Sequence, residues 1–380
     1  MPRANPRVRG NAGRDDRSPA PVTVRREDER REGCCGLGMP VRGVAKGEPL
    51  VSVLLPVFNA ASTLTAALQS IRRQTVQSWE CVIADDGSSD RSREILSAVS
   101  AQDQRFRVLT LPHDGLVAAL NAGLPQCRGV YIARMDADDV MHPARLGAQV
   151  RALESDPSVD VVGCHVRVFP RGHLRQGRIE YESWLNEMGS TATILGDAYV
   201  ECPLAHPTWL ARRDAMLSFG YREEGWPEDY DLMLRWIHAG LRPAVVPRRL
   251  HFWRDAPTRL SRLGVAYSRS SIVACKAAHL ANGVLRRSDG YVLWGYGDTG
   301  RALARALLTR GKRPRYIVEL HPGRLGQRIL GAPVVPPGFL RQRVSVPVVV
   351  SVAGPVARRQ IREALYAMAY EEGTDFVVAA

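Results

Sequence analysis

From Val51 onward short apolar runs alternate with amphipathic stretches of about ten residues, and this alternation constrains the fold more than any other feature of the chain. "VSVLLPVFN" reads as a buried strand, "STLTAALQSIRRQ" as a helix with Ser62 as its expected N-cap, and "WECVIADD" as a second strand. "SSDRSREILSAVS" is then a helix, "FRVLTL" a strand, "LVAALNAGL" a helix and "GVYIARM" a strand. Strands joined through helices require right-handed crossovers, which predicts an α/β fold with a mostly parallel sheet flanked by helices. Ligands of such sheets bind beyond the carboxyl ends of the strands. The polar clusters at Asn59, Asp85 to Ser88 and Asp136 to Asp139 all fall at such ends.

The flanking regions read differently. Residues 1–48 are rich in Arg, Pro, Gly and acids and lack apolar periodicity, so they are expected to form a disordered tail, with Met39 as an alternative start. A first domain is expected over 49–257, a helical connector over 258–288 and a small α/β domain over 289–380. No apolar run is long enough to span a membrane and no signal-peptide core opens the chain, so the expected location is cytoplasmic, compatible with peripheral contact at the inner face of a membrane. The seven cysteines show no paired metal-ligand spacing and are expected to be reduced and mostly buried. A formal charge of +13 points toward anionic partners. Yet every cation except Lys46, Lys276 and Lys312 is an arginine, and the arginines are spread along the chain, so no nucleic-acid partner is expected.

Three acidic motifs carry chemistry, each beside a plainer reading. Asp136 and Asp138 lie two apart, so in an extended segment both carboxylates point the same way and suit a hard divalent cation. The same residues also suit a polar turn before a helix starting near Pro143. In "IADDGSSD", Asp86 is placed to accept a hydrogen bond from a nucleobase or ribose, while Asp, Gly and Ser are also ordinary turn formers. "GWPEDYDLMLRW" puts Pro227, Glu228 and Asp229 at a helix start, where acids are common and where the dipole keeps a carboxylate ionised and ready to take a proton.

In order and spacing, "LLPVFN", "VIADDGSSD", "LNAGL", "YIARMDADD", "CPLAHPTWLARRDAM" and "PEDYDLMLRW" resemble the family 2 glycosyltransferases with the GT-A fold, over residues 50 to 255. That resemblance implies inverting transfer of a sugar from a nucleoside diphosphate, UDP favoured, to a saccharide or lipid-linked acceptor in surface polysaccharide or glycolipid synthesis. It implies that Pro56, Phe58 and Asn59 border the donor, with Phe58 against the base, and that Asp86 bonds the base. Asp136 would face the ribose, Asp138 would bind Mg²⁺ or Mn²⁺, His206 would lie near the diphosphate, and Asp229 would be the general base. Asp114 stands where relatives often carry Asn, which leaves its role open.

The loop "GYGDTG", between a strand and a helix, matches a dinucleotide fingerprint at Gly295, Gly297 and Gly300, with Glu319 at the end of the next strand. An NAD(P)-linked oxidoreductase centred there is the alternative reading, without a catalytic Ser-Tyr-Lys set nearby. The segment also resembles the Rossmann-like nucleotide-sugar-binding domain of bacterial sugar acyltransferases, and an empty structural unit is a third reading.

Overall fold

The computed structural model describes residues 47–257 and 259–380. Up to residue 46, the expected tail, the alternative start at Met39 and the pair Cys34 and Cys35 lie outside the described residues. The first sheet contains β1 (Val51–Val57), β2 (Trp79–Asp86), β3 (Phe106–Leu111), β4 (Tyr131–Arg134), β5 (Val140–Met141), β6 (Val161–Phe169), β7 (Leu210–Arg212) and β8 (Pro243–Arg254). Their spatial order is β3-β2-β1-β4-β7-β6-β8-β5.

β3, β2, β1 and β4 run parallel, as the crossover pattern predicts. Beyond them the sheet is mixed: β7 is antiparallel to β4 and β6, β8 is parallel to β6, and β5 is antiparallel to β8. β7 and β8 come from the part of the sequence that loses its regular alternation after Val168. β7 follows a long excursion instead of a short crossover, so the parallel rule does not bind it.

Every residue of β1 and β2 is buried, because helices cover both faces, and so both strands read as continuous apolar runs. On the helix Leu64–Arg72, Leu64, Ala67, Leu68 and Ile71 recur at helical spacing and face that sheet. The cap expected at Ser62 is not formed. Thr63 holds the cap position, and its Oγ1 donates to the Ala137 carbonyl at 3.1 Å, tying the helix start to the acidic loop.

A second sheet contains β9 (Gly290–Trp294), β10 (Arg313–Val318), β11 (Arg328–Ile329), β12 (Ala332–Val335), β13 (Val348–Val350) and β14 (Phe376–Val378). Its order is β11-β12-β10-β9-β13-β14, with all pairs parallel except β11 with β12. The two sheets share one apolar cluster that includes Leu54, Trp236, Leu280, Leu293 and Val377. The helix Arg269–Asn282 supplies polar ties: Lys276 Nζ donates to the carbonyls of Val200 at 2.6 Å and Ala379 at 3.3 Å. Arg362 adds another, donating to the Gly196 carbonyl at 2.8 Å and to Asp197 at 2.7 Å.

Among the described residues, no helix is long and apolar enough to cross a membrane. The five described cysteines are buried and free. Because Arg362 also pairs with Glu372, Arg362→Ala removes several charged hydrogen bonds at once. It is expected to cost about 1–3 kcal/mol and to lower the melting temperature; an unchanged melt would show that the tie between the sheets is idle.

Candidate active site

The first sheet reverses its strand order between β1 and β4, and a cleft of 1360 Å³ opens there, beyond the carboxyl ends of the strands. Pro56, Phe58, Asn59, Asp86, Asp136, Asp138, His206 and Asp229 all line it, so the expected site residues of the first sheet are brought together.

At one end Phe58 is 46% exposed and stacks on His113, with centroids 3.9 Å apart and planes 6° from parallel. Asp86 holds that stack from below. Its carboxylate pairs with His113 Nδ1 at 2.9 Å and accepts from the amides of Asp114 at 3.0 Å and Gly115 at 3.1 Å. Asn59 takes a left-handed φ of 47°, and its Oδ1 accepts from the amides of Ser89 at 2.8 Å and Asp90 at 3.2 Å. Both polar side chains therefore shape the rim as well as lining it.

The acidic loop is not extended, which corrects the strand-spacing argument for Asp136 and Asp138. Residues 135–139 form a turn, with the Asp139 amide on the Asp136 carbonyl at 3.3 Å. The turn brings oxygens of Asp136, Asp138 and Asp139 within 4.8 Å of one another. The three are not equivalent. Asp139 is fully buried, bonded to His251 Nε2 at 2.8 Å and to the Arg254 amide at 2.7 Å. Asp136 is ion-paired with the buried Arg134. Asp138 has no such partner among the described residues, and burial, then its two acidic neighbours, pushes it up to about 7. An oxygen-only donor set fits a hard divalent cation, with Asp138 as its most available ligand.

At the opposite end the helix Glu228–His238 starts where "PEDYDL" predicts. Asp229 lies in its first turn and accepts from the Tyr230 amide at 2.8 Å. Burial pushes Asp229 up to about 6, and burial followed by Asp229 pushes Glu228 up to about 7. Glu228 accepts a short hydrogen bond from the Tyr267 hydroxyl and lies 3.6 Å from His206 Nδ1. His206 Nε2 meets the Tyr221 hydroxyl at 2.8 Å, and burial, then the charge of Arg134, holds the imidazole well below its usual range and hence neutral.

The glycine loop after β9 is apart from this cleft. Gly295 has a φ of 96°, and a Cβ there would lie 2.4 Å from Val352; a Cβ at Gly300 would lie 2.2 Å from the Gly295 carbonyl oxygen. Ser351 Oγ donates to that carbonyl at 2.7 Å. Glu319 turns inward, accepting from the Tyr296 amide at 3.1 Å and from Arg324 at 2.7 Å. Gly297 has open space around its Cβ direction. Backbone packing accounts for Gly295 and Gly300, and the carboxylate of Glu319 that completes the fingerprint is already engaged.

Residues absent from the sequence reading also line the cleft: His113, Arg134, Arg178, Trp253, Arg259 and Tyr267. Arg134 was legible as a lone charge in the apolar run "YIARM". Nothing local marks the others, which reach the cleft through contacts distant in sequence.

Residues 52–218 match the family described as Glycosyl transferase family 2. EpsE of Bacillus subtilis (strain 168), named as a glycosyltransferase, is 31% identical over 242 residues, covering 61% of this chain and 84% of its own length. The bifunctional glycosyltransferase pgtA of Dictyostelium discoideum is 34% identical over 142 residues, 33% of this chain and 18% of that protein. Among solved structures, S. aureus TarS in complex with UDP-GlcNAc aligns with a TM-score of 0.49 at 17% identity, over 68% of this chain and 72% of that one.

The unequal roles of the acidic loop predict unequal variants. Asp139→Ala strips a buried histidine and an amide of their partner and is expected to cost about 3 kcal/mol or more in thermal or chemical denaturation. Asp138→Ala should leave stability intact and weaken Mn²⁺ binding followed by electron paramagnetic resonance; equal effects on both properties would refute the division.

Proposed function

Because the chain belongs to glycosyl transferase family 2, we propose that it transfers a sugar from a nucleoside diphosphate, UDP-linked by preference, to an acceptor hydroxyl with inversion at the anomeric carbon. The observation that carries this reading is the convergence of Phe58, Asp86, Asp136, Asp138, His206 and Asp229, far apart in sequence, on one cleft at the strand-order reversal. In this reading the Phe58 and His113 stack offers a flat face to the base, and Asp86 and Asn59 hold the loops that carry it. Asp136, steadied by Arg134, faces the ribose.

Asp138 would hold Mg²⁺ or Mn²⁺, with Asp136 close by. The bound cation supplies positive charge that offsets the charge growing on the leaving diphosphate. Asp229 takes the proton of the acceptor hydroxyl as that oxygen attacks the anomeric carbon from the face opposite the diphosphate, so one displacement inverts the centre and no protein nucleophile is needed. A base near 6 is ionised at neutral pH and still basic enough to draw the proton. Glu228, fixed by Tyr267, keeps the helix start and neutral His206 in register beside it.

The same proposal makes residues 49–257 the catalytic unit, 258–288 a connector and 289–380 an accessory α/β unit that binds or docks. The acceptor is read as a saccharide or lipid-linked saccharide of a surface polymer, met in the cytoplasm or at the inner face of the membrane. The oxidoreductase alternative is not favoured, since Glu319 is committed to Tyr296 and Arg324.

Asp229→Asn is expected to lower transfer by about 10²- to 10⁴-fold without changing the melt, measured as nucleotide release coupled to product formation. Full activity in that variant would remove Asp229 from its role. Since the base must be ionised, kcat/KM of the wild type should fall as pH drops below about 6, and a profile flat from pH 5 to 8 would contradict the assignment.

A further inference from the structure

We propose that the outer wall of the cleft docks on an anionic lipid surface through Leu263 and Val265. After β8 the chain runs from Asp255 to Tyr267 along the cleft, and it is pinned at both ends. At its start the Asp255 amide donates to the Phe169 carbonyl at 2.7 Å, and Arg259 Nη1 donates to the Arg254 carbonyl at 2.9 Å. At its end the Tyr267 hydroxyl donates to Glu228. The short helix Leu260–Leu263 and the single turn Val265–Tyr267 lie between these ties.

The tip of this strap is apolar and faces water. Val265 is 83% exposed, more than any other large apolar side chain among the described residues, and Leu263 is 69% exposed. Single exposed apolar residues are ordinary surface, but these two stand two apart on backbone that is held in place. Leu263 also lines the cleft, so the tip stands at its mouth.

Charge identifies what covers the tip. From Arg254 to Arg269 there are four arginines and one acid, Asp255. That carboxylate is 8% exposed and is held by Arg262 Nη2 at 2.8 and 2.9 Å. The stretch from Phe169 to Arg178 brings three more arginines and no acid, and the bond between Asp255 and Phe169 sets the two stretches side by side. Arg175 is exposed, and Arg269, also exposed, bonds the neutral Thr299 hydroxyl at 3.3 Å, so both keep their charge for an anion. An apolar tip set among cations suits the boundary of a bilayer, where aliphatic groups enter the acyl region and guanidinium groups meet lipid phosphates. A second copy of this chain meeting the same face would bring like charge and be repelled. Two aliphatic side chains give reversible docking, weaker than an acyl anchor. Docked this way, the mouth of the cleft faces the bilayer. Under the glycosyltransfer reading above, on which this last step alone rests, an acceptor carried on a lipid reaches the cleft without leaving the membrane.

The test is sedimentation of the full chain with vesicles of phosphatidylcholine, and with vesicles of phosphatidylcholine and phosphatidylglycerol in equal parts. Binding to the mixed vesicles should exceed binding to the neutral ones by about tenfold or more and should weaken as salt rises. Leu263→Asp combined with Val265→Asp should lower it by about tenfold with the melt unchanged. Val265→Trp should raise it, a gain that structural damage would not produce. Leu320→Asp, at a side chain 75% exposed just beyond β10, should leave it as it is. No binding to the mixed vesicles, equal binding to the neutral ones, or an equal loss in Leu320→Asp overturns the proposal. A dimer that the paired aspartates dissolve, with vesicle binding absent, assigns the tip to a second copy and overturns it as well. Vesicle binding without sugar-nucleotide turnover supports the docking and counts against the glycosyltransfer reading, and turnover without vesicle binding does the reverse.

Discussion

A chain of buried hydrogen bonds through Gln149, Arg145, His251 and Asp139 is the constraint on which the rest of the site depends. All four side chains are fully buried. Gln149 donates to the carbonyls of Val162 and Thr208, both at 2.7 Å, and accepts from Arg145 Nε at 3.0 Å. Arg145 continues to the Arg134 carbonyl at 2.9 Å and to His251 Nδ1 at 3.1 Å. Since Nδ1 accepts from Arg145, the imidazole proton sits on Nε2 and is donated to Asp139. That tautomer agrees with burial holding His251 well below its usual range. Such a network is stabilising only when every member is satisfied, and in low dielectric each bond is strong. It joins the end of β4, strands β6 and β8, and the turn that carries His206, so the acidic loop and the far side of the cleft cannot drift independently.

This arrangement separates carboxylates that look alike in sequence. Asp139 is consumed by the scaffold, Asp136 is balanced by Arg134, and Asp138 is left lining the cleft without an ion-pair partner among the described residues. At the other end Glu228 is tied to Tyr267 while its neighbour Asp229 accepts from the amide next to it. In each motif one acid is structural and the adjacent one faces the cavity. Tyr267 comes from the segment after β8, so the chain closes over the cleft before it enters the helix that supports the second sheet.

How much of this was legible follows from distance along the chain. The strand and helix alternation came through nearly intact: β2 and β3 span the residues that their apolar runs mark, and the helix at Glu228 starts where proline and acids announce it. These are local signals of period and capping. The acidic loop was recognised for a wrong local reason, since a turn and not an extended strand gathers its carboxylates. The exclusive engagement of Asp139 was invisible, because His251 and Arg254 lie more than a hundred residues away. The glycine fingerprint shows the converse: Gly295 and Gly300 are required by backbone approach, and that requirement exists whether or not a nucleotide binds.

The central claim is that the cleft between β1 and β4 holds a cation and a nucleoside diphosphate. Anomalous diffraction from crystals grown with Mn²⁺ and UDP tests it most directly. The account predicts a manganese peak at the Asp138 carboxylate and the base lying against Phe58. UDP found at the Gly295 loop, with the cleft empty of metal and nucleotide, would contradict it.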